Sequence, residues 1–356
     1  MPRKIIGVHM TPRTSWKRER IKSRGESSDG TIVEMECEVR IGRLYATAPF
    51  LTINKYQGRR ITTSSSALSS HSLSVDSVLH TDYLLKDLQL LYASYRELLH
   101  NAWCVLLRMV LGSCAGVLQN DDLAFIGLYV VKSAYRRHGI GRKIWNAVMK
   151  RVGDRNAGVN PVPEQLENYR DRSGFPVQTS WCSIVSHTKS MDMSLFTAND
   201  LDINLQRLIL EDNDTLNEVI CYDADVCGFS RGNLVPLLCS QKDSVTMVAT
   251  KTDSNEICGY GNIRKNIKNG AIVGPLYADS AEIAEKILYE LVKAFPIGEI
   301  EGIMMMAIDC NLPAMKMMDK LGFQTLEGIA RLYRDEEVHV KYEKVFSQHS
   351  LNFSIF

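Results

Sequence analysis

Hydrophobic residues recur along this chain at two spacings, and each spacing predicts a type of secondary structure. Alternate residues from Val33 to Ile41 are apolar and those between them are charged, which is typical of a half-buried strand. From Leu84 to Leu99 the apolar residues fall at helical spacing, with Thr81 or Asp82 available as the N-cap. The serine-rich stretch 62–74 between these segments predicts a flexible loop.

A longer apolar run follows and predicts a buried strand that leads into a helix. Residues 120–122 (Asn-Asp-Asp) are typical of a turn. Leu123 to Val131 is almost entirely apolar, which predicts a strand buried on both faces. A helix is expected from about Gly141 to Val152, because its apolar residues share one face.

The second half of the chain repeats this order of elements. Apolar runs predict strands at 245–249, 257–263, 271–277 and 303–308, helices at 281–295 and 312–321, and further strands near Leu332 and Val340. Strands that alternate with helices on a shared sheet indicate a mixed α/β fold in each half.

Composition narrows the class of protein. Hydrophobic residues make up 45% and charged residues 23%, and the net charge is +1, so the chain can bury a core but is not expected to bind nucleic acid in general. No apolar run reaches membrane-spanning length, so no membrane association is expected. Nine cysteines at irregular spacing, without a CxxC pair, favour reduced thiols in a cytoplasmic protein over a disulfide framework or a metal site.

The first 24 residues are basic, with eight Lys or Arg residues against Glu19 alone. Such a segment is typical of a solvated tail, and an organelle transit peptide stays open as the alternative.

Candidate chemistry is concentrated between Phe125 and Trp145, where a buried strand runs into Arg136-x-x-Gly139-x-Gly141 and then a helix. The first N–H groups of a helix lack internal partners and lie at the positive end of its dipole. Glycines let a diphosphate approach the backbone, and the neighbouring arginines add charged donors. The segment therefore predicts an anion-binding turn. A third glycine and a Gly-Lys-Ser/Thr ending are both missing, which argues against the two common nucleotide loops.

This strand, loop and helix resemble motif A of the GNAT superfamily of acetyl-CoA-dependent N-acyltransferases. The resemblance implies that the pantetheine arm pairs with the strand backbone at Tyr129 to Val131. It also implies that the diphosphate lies on the N–H groups of Arg137 to Arg142. The coenzyme residues expected on this basis are Tyr129, Val130, Val131, Arg136, Arg137, His138, Gly139, Ile140, Gly141 and Arg142.

Two further segments resemble motif B of the same superfamily, one at 169–175 and a closer one at 311–323. The chain therefore resembles a tandem protein with the mixed α+β GNAT fold, in which each unit has a central mixed sheet flanked by helices. The predicted organisation is an N-terminal region (1–80), a first unit with the coenzyme loop (81–190) and a second unit (200–346). The second unit resembles the YitH/HolE-type acetyltransferase domain, a pairing similar to uncharacterised nematode proteins.

The second unit departs from motif A, because Asp279 and Ser280 stand where the glycine-containing loop belongs. A carboxylate there would repel a diphosphate, so coenzyme is expected in the first unit only.

Three residues are candidates for catalysis and acceptor binding. The superfamily's usual acid is a tyrosine four residues before the motif B glycine, and this position is Arg170 here. The neighbouring Tyr169 is the catalytic candidate, with a packed surface tyrosine as the alternative. Asp223 and Arg231 are candidates for acceptor binding, with a structural salt bridge as the alternative.

The resemblance implies direct transfer of an acetyl group from acetyl-CoA to a primary amine on a small molecule or peptide. The acyl-chain preference and the oligomeric state stay open. Two alternatives from other classes are a non-catalytic acyl-CoA-binding protein and an interaction protein that docks through its basic tail.

Overall fold

The computed structural model describes residues 111–197, 201–232, 234–241, 243–266, 270–295 and 302–356, together with the backbone course of four strands before residue 108. The serine-rich stretch 62–74 and the helix predicted from Leu84 to Leu99 lie outside the described residues.

Strands dominate the described chain, and six helices pack against them. The strands are β1 Ser15–Glu26, β2 Ile32–Arg43, β3 Pro49–Arg60, β4 Ala102–Leu107, β5 Gly112–Leu118, β6 Leu123–Val131, β7 Asn156–Val159, β8 Val177–Thr188, β9 Ile203–Arg207, β10 Ser244–Lys251, β11 Ile257–Lys265, β12 Ala271–Ala278, β13 Ile303–Ile308, β14 Gln324–Tyr333 and β15 Val345–Ser347. The described helices are α1 Ile140–Val152, α2 Leu166–Arg172, α3 Asn213–Cys227, α4 Leu234–Cys239, α5 Ala281–Ala294 and α6 Leu312–Lys320.

The strands form one continuous mixed sheet in the order β1-β2-β3-β4-β5-β6-β7-β14-β8-β13-β12-β11-β10-β9, with β15 paired to β12. β6 and β7 are parallel, as are β12 and β13, and each parallel pair is joined by a helical crossover. The fold is therefore mixed α/β, as the sequence predicted.

The two units exchange their last strands. β14, which belongs to the second unit, lies between β7 and β8 and is antiparallel to both. β8, which belongs to the first unit, is antiparallel to β13 of the second. Each unit's sheet is thus completed by a strand of the other.

Helix ends follow ordinary capping chemistry. The Ser280 hydroxyl accepts from the Ile283 N–H at 3.4 Å at the start of α5. The Asn311 side chain accepts from the Ala314 N–H at 3.1 Å at the start of α6. Its amide also donates to the Val345 carbonyl at 2.9 Å, so this cap positions the start of β15.

Two sequence predictions about strands are wrong. Val340 is not in a strand: it is buried, and the adjacent Lys341 N–H donates to the Val226 carbonyl at the end of α3 at 2.9 Å. β6 is buried only over its first four residues, from Leu123 to Ile126, because it separates from β7 beyond that point.

No helix within the described ranges is both long and apolar enough to cross a membrane.

Candidate functional site

The strand-to-helix turn in the first unit has the geometry of an anion-binding site. After β6 a short helical turn, Ser133–Tyr135, leads to Gly139, which begins α1 with a positive φ of 74°. The Gly139 carbonyl accepts from the Lys143 N–H at 3.2 Å, which places the three N–H groups between them at the open end of the helix. These N–H groups and the positive end of the helix dipole favour an anion at this point.

Charged side chains surround this turn. Arg137 and Arg142 are exposed, and Arg137 also adopts a positive φ of 64°. The Arg136 side chain donates to the Val131 carbonyl at 3.0 Å, and the half-buried His138 ring donates through Nδ1 to the Arg136 carbonyl at 2.7 Å. Arg136 and His138 therefore hold the loop, while Arg137 and Arg142 can reach a ligand.

The ten residues predicted for coenzyme binding lie together at one end of β6. β6 pairs with β7 only from Leu123 to Ile126, opposite Asn156 to Val159. Beyond Ile126 the strands diverge, so the edge of residues 127–131 that faces away from β5 has no strand partner within the described chain. A bulge with Leu128 at φ 51° lies where the strands separate. An extended ligand arm can therefore pair with this edge.

Tyr129 covers part of the turn. Its ring lies 5.3 Å from the Trp145 ring, and a Cβ atom on Gly141 would lie 2.6 Å from the Tyr129 hydroxyl oxygen. A side chain at position 141 would therefore require the Tyr129 ring to shift. Burial raises the pKa of Tyr129 above its usual value of 10.

Tyr169 lies in the aromatic core of the first unit. It is buried on α2, with ring centroids 5.5 Å from Trp145 and 6.4 Å from Phe175. Burial, with smaller contributions from Cys114 and Tyr129, raises the pKa of the Tyr169 hydroxyl far above its usual range. Tyr169 therefore stays protonated at neutral pH and does not act as a base.

Asp223 and Arg231 are brought together, but in the interior of the second unit. Both side chains are buried, and the Arg231 Nε donates to Asp223 Oδ1 at 2.8 Å, with a second bond from Nη2 to Oδ2. Tyr260 also donates to Asp223, and Arg231 Nη2 lies 3.1 Å from the Tyr277 hydroxyl. In this structure the two residues form a buried, hydrogen-bonded salt bridge.

In the first unit a space opens where β6 separates from β7. The equivalent space between β12 and β13 of the second unit is filled by β15. β12 pairs with β13 over Ala271 to Val273, and beyond this point β15 pairs with β12 at Leu276 and Tyr277. Ser347 bridges both strands: its hydroxyl donates to the Val273 carbonyl at 2.8 Å and accepts from the Met306 N–H at 3.0 Å.

The end of β12 also lacks an anion-binding turn. Asp279 forms an ion pair with Lys344 at 2.8 Å and accepts from the Tyr222 hydroxyl at 3.0 Å. The Asp279 carboxylate, which is predicted to repel a diphosphate, therefore lies at the turn between β12 and α5.

Sequence reasoning missed the segment that follows β15. Residues 349–356 (hereafter the 349–356 segment) run between the two units and end with Ile355 and Phe356 fully buried. Only the short apolar stretch after the charged residues 334–344 signals that this part of the chain returns to the core.

Comparisons with known proteins place two segments of this chain in one group of acyltransferase families. Residues 74–162 match the family described as "Acetyltransferase (GNAT) family", and residues 219–347 match "Acetyltransferase (GNAT) domain". Holothin acyltransferase of a Pseudoalteromonas species is 25% identical over 234 residues, which cover 65% of this chain and 74% of that protein. The uncharacterised N-acetyltransferase YitH of Bacillus subtilis is 26% identical over 50% of this chain and 60% of its own length.

A solved structure shares the fold. The crystal structure of a putative acetyltransferase from Pyrococcus horikoshii superposes with a TM-score of 0.58 over 82% of this chain and 99% of that chain, at 15% sequence identity.

Proposed function

Because this chain belongs to the GNAT superfamily of acyltransferases and carries two GNAT domains, we propose that its first unit binds acetyl-CoA and transfers the acetyl group to a primary amine. The turn at the start of α1 carries this proposal. It joins an anion-binding helix end, flanked by Arg137 and Arg142, to the unpaired edge of β6. A diphosphate and an extended pantetheine arm need these two features side by side.

The transfer needs no covalent enzyme intermediate. The neutral amine nitrogen attacks the thioester carbonyl carbon, a C–N bond forms, and the C–S bond breaks. The amine loses one proton and the departing thiolate gains one. N–H groups on the unpaired edge around Leu128 can stabilise the negative charge that develops on the carbonyl oxygen. Tyr169, which stays protonated, is the proposed source of the proton for the thiolate.

We assign a structural role to the second unit. Its gap between β12 and β13 is occupied by β15, and its turn carries the Asp279–Lys344 ion pair in place of open N–H groups. Coenzyme could enter only if β15 were displaced. The second unit therefore supports the first through the exchanged strands and the shared interface.

The test is an assay of thiol release from acetyl-CoA with a panel of small amines and amine-bearing peptides. Arg142→Glu reverses an exposed charge at the proposed diphosphate site and is expected to raise the KM for acetyl-CoA about tenfold or more. Lys150→Glu makes the same charge change at the other end of α1 and is expected to leave the KM unchanged.

Two results would contradict the proposal. If both variants changed the KM for acetyl-CoA equally, the diphosphate would not bind at this turn. Coenzyme binding without acetyl transfer to any amine would favour the non-catalytic acyl-CoA-binding protein instead.

A further inference from the structure

Leu128 adopts a backbone conformation that its own side chain opposes. It has a φ of 51° at a bulge in β6, where Leu128 and Tyr129 together lie opposite Cys114 of β5. At such a φ the Cβ atom crowds the following carbonyl oxygen, so bulky residues rarely adopt this conformation. A contact with the rest of the fold is therefore needed to hold Leu128 in place.

The Ser113 hydroxyl makes this contact. Ser113 lies on β5 with its side chain buried, and its Oγ donates to the Leu128 carbonyl oxygen at 2.7 Å. The two strands also approach closely beside this bond, since a Cβ atom on Gly112 would lie 2.7 Å from the Val130 carbonyl oxygen. The hydroxyl is thus carried by a closely packed strand, and it fixes the direction of the Leu128 carbonyl.

The same hydrogen bond sets the direction of the next N–H group. The Leu128–Tyr129 peptide is trans, so its carbonyl and its N–H point in opposite directions. Because the carbonyl points at Ser113 on β5, the Tyr129 N–H points away from β5. On that side β6 has no strand partner beyond Ile126 within the part of the chain that the structure describes. The Tyr129 N–H is therefore presented at the open edge of β6.

The proposed reaction needs a donor at this position. The pantetheine arm is proposed to pair with the edge at Tyr129 to Val131, which puts the thioester beside the Leu128–Tyr129 peptide. The carbonyl oxygen of the thioester gains negative charge as the amine attacks, and an N–H group held in place stabilises that charge. A regular strand conformation at Leu128 would rotate the peptide and turn this donor away from the oxygen.

We propose that Ser113 is a positioning residue for acetyl transfer. Its hydroxyl holds Leu128 at a positive φ and so keeps the Tyr129 N–H directed at the thioester carbonyl oxygen. The hydroxyl itself takes no part in the bond changes. This inference rests on the proposed acetyl transfer by the first unit, and it adds to that site a residue of β5, outside the strand, loop and helix that resemble motif A.

The test separates kcat from KM in the assay of thiol release. Ser113→Ala is expected to lower kcat at least about tenfold, because the N–H donor is no longer held toward the oxygen. The KM for acetyl-CoA is expected to stay within about twofold, because the turn that binds the diphosphate is unchanged. Ser347→Ala is the matched control. It removes a buried hydroxyl that donates to the Val273 carbonyl at 2.8 Å in the second unit, and it is expected to leave kcat unchanged.

A glycine at position 128 tests whether the hydroxyl acts through Leu128. Glycine adopts a positive φ without the side-chain penalty, so Leu128→Gly should keep the bulge when the hydroxyl is absent. In the Leu128→Gly background, Ser113→Ala is therefore expected to lower kcat by less than about threefold. An equal loss of kcat in the two backgrounds would overturn the proposal, because the hydroxyl would then act without Leu128.

A crystal structure of Ser113→Ala examines the conformational step without an activity measurement. Leu128 is expected to leave the region of positive φ, with its carbonyl turned away from β5. If the alanine variant does not fold, Ser113→Cys keeps a similar volume with a weaker donor, and the same changes are expected to a smaller extent. A Ser113→Cys variant with unchanged kcat would contradict the proposal.

The outcomes separate the two proposals. If the chain transfers acetyl groups and Ser113→Ala keeps its kcat, or if Leu128 keeps its φ in the variant, Ser113 is not a positioning residue and acetyl transfer stands. If the unchanged chain releases no thiol with any amine, acetyl transfer is itself contradicted, and the proposed role of Ser113 is overturned with it.

Discussion

The main-chain carbonyl of Asn352 packs directly against the Cα of Gly127 in β6. No space is left for a side chain at position 127 between β6 and the 349–356 segment. A Cβ atom at position 127 would lie 2.7 Å from the Asn352 carbonyl carbon and 2.9 Å from its Cα. These are backbone atoms, and they can yield only if the segment moves.

Gly127→Ala is therefore expected to displace the 349–356 segment. Amide hydrogen exchange over residues 351–356 should become at least about tenfold faster, measured by mass spectrometry at pH 7. Gly328→Ala is the matched control, because its added methyl group would meet the Ile184 side chain at an ordinary 3.4 Å. Unchanged exchange in Gly127→Ala would show that the contact does not retain the segment.

Breaking the salt bridge between Asp223 and Arg231 is expected to destabilise the second unit strongly. Arg231→Met leaves the Asp223 carboxylate buried without its charged partner, which typically costs about 3–5 kcal/mol. Lys251→Met breaks the exposed ion pair with Glu256, and its expected effect on the free energy of unfolding is small. Urea unfolding measures both. Equal free energies of unfolding for the two variants would contradict a structural role for the buried pair.

Ser347→Ala tests whether β15 closes the second unit. The change leaves the Val273 carbonyl and the Met306 N–H without the hydroxyl that joins them, so a loss of about 1–3 kcal/mol in the free energy of unfolding is expected. The affinity for acetyl-CoA should not change, because the proposed site is in the first unit. Ser254→Ala, at an exposed turn, is the control. A variant that gains a second coenzyme site would show that β15 only obstructs a functional cleft.

His349 gives the retention of the segment a pH dependence. Burial, together with the nearby Arg264 and Arg231 guanidinium groups, holds the pKa of the His349 imidazole well below its usual 6.5. A released His349 regains the ordinary pKa and takes up a proton as the pH falls below 6.5, whereas the buried ring does not. The stabilisation from the neutral ring is thus present above pH 6.5 and lost below it, and release should increase by up to about tenfold per pH unit.

Hydrogen exchange over residues 351–356 at pH 7.5 and 5.5, corrected for intrinsic rates, measures this effect. His349→Gln does not titrate and is expected to remove the pH dependence. If exchange in His349→Gln depended on pH as strongly as in the unchanged chain, another titrating group would cause the dependence.

Local patterns predicted the elements whose neighbours in sequence are also neighbours in space. The helix predicted from Gly141 to Val152 is observed as α1, and the strand predicted at 271–277 is observed as β12. The turn between β6 and α1 was predictable for the same reason, because one short segment supplies the strand end, the glycines and the arginines. Helix α3 was missed, since Asp223 interrupts an apolar face that only the pairing with Arg231 makes compatible with burial.

Long-range contacts explain the remaining differences. The exchange of β8 and β14 depends on pairing between the units, and nothing in either strand alone indicates its partner. The partial exposure of β6 after Ile126 follows from its separation from β7, which an apolar run does not reveal. The 349–356 segment contains only a short apolar stretch, and donors distant in sequence set its position between the two units.

We expect only one of the two units to bind coenzyme. Titration calorimetry of the full chain with acetyl-CoA tests it most directly, because it reports the number of sites and their affinity together. One site per chain is expected, with the Kd raised about tenfold or more in Arg142→Glu and unchanged in Lys150→Glu. Two sites per chain, or one site that Arg142→Glu leaves unaffected, would contradict the account.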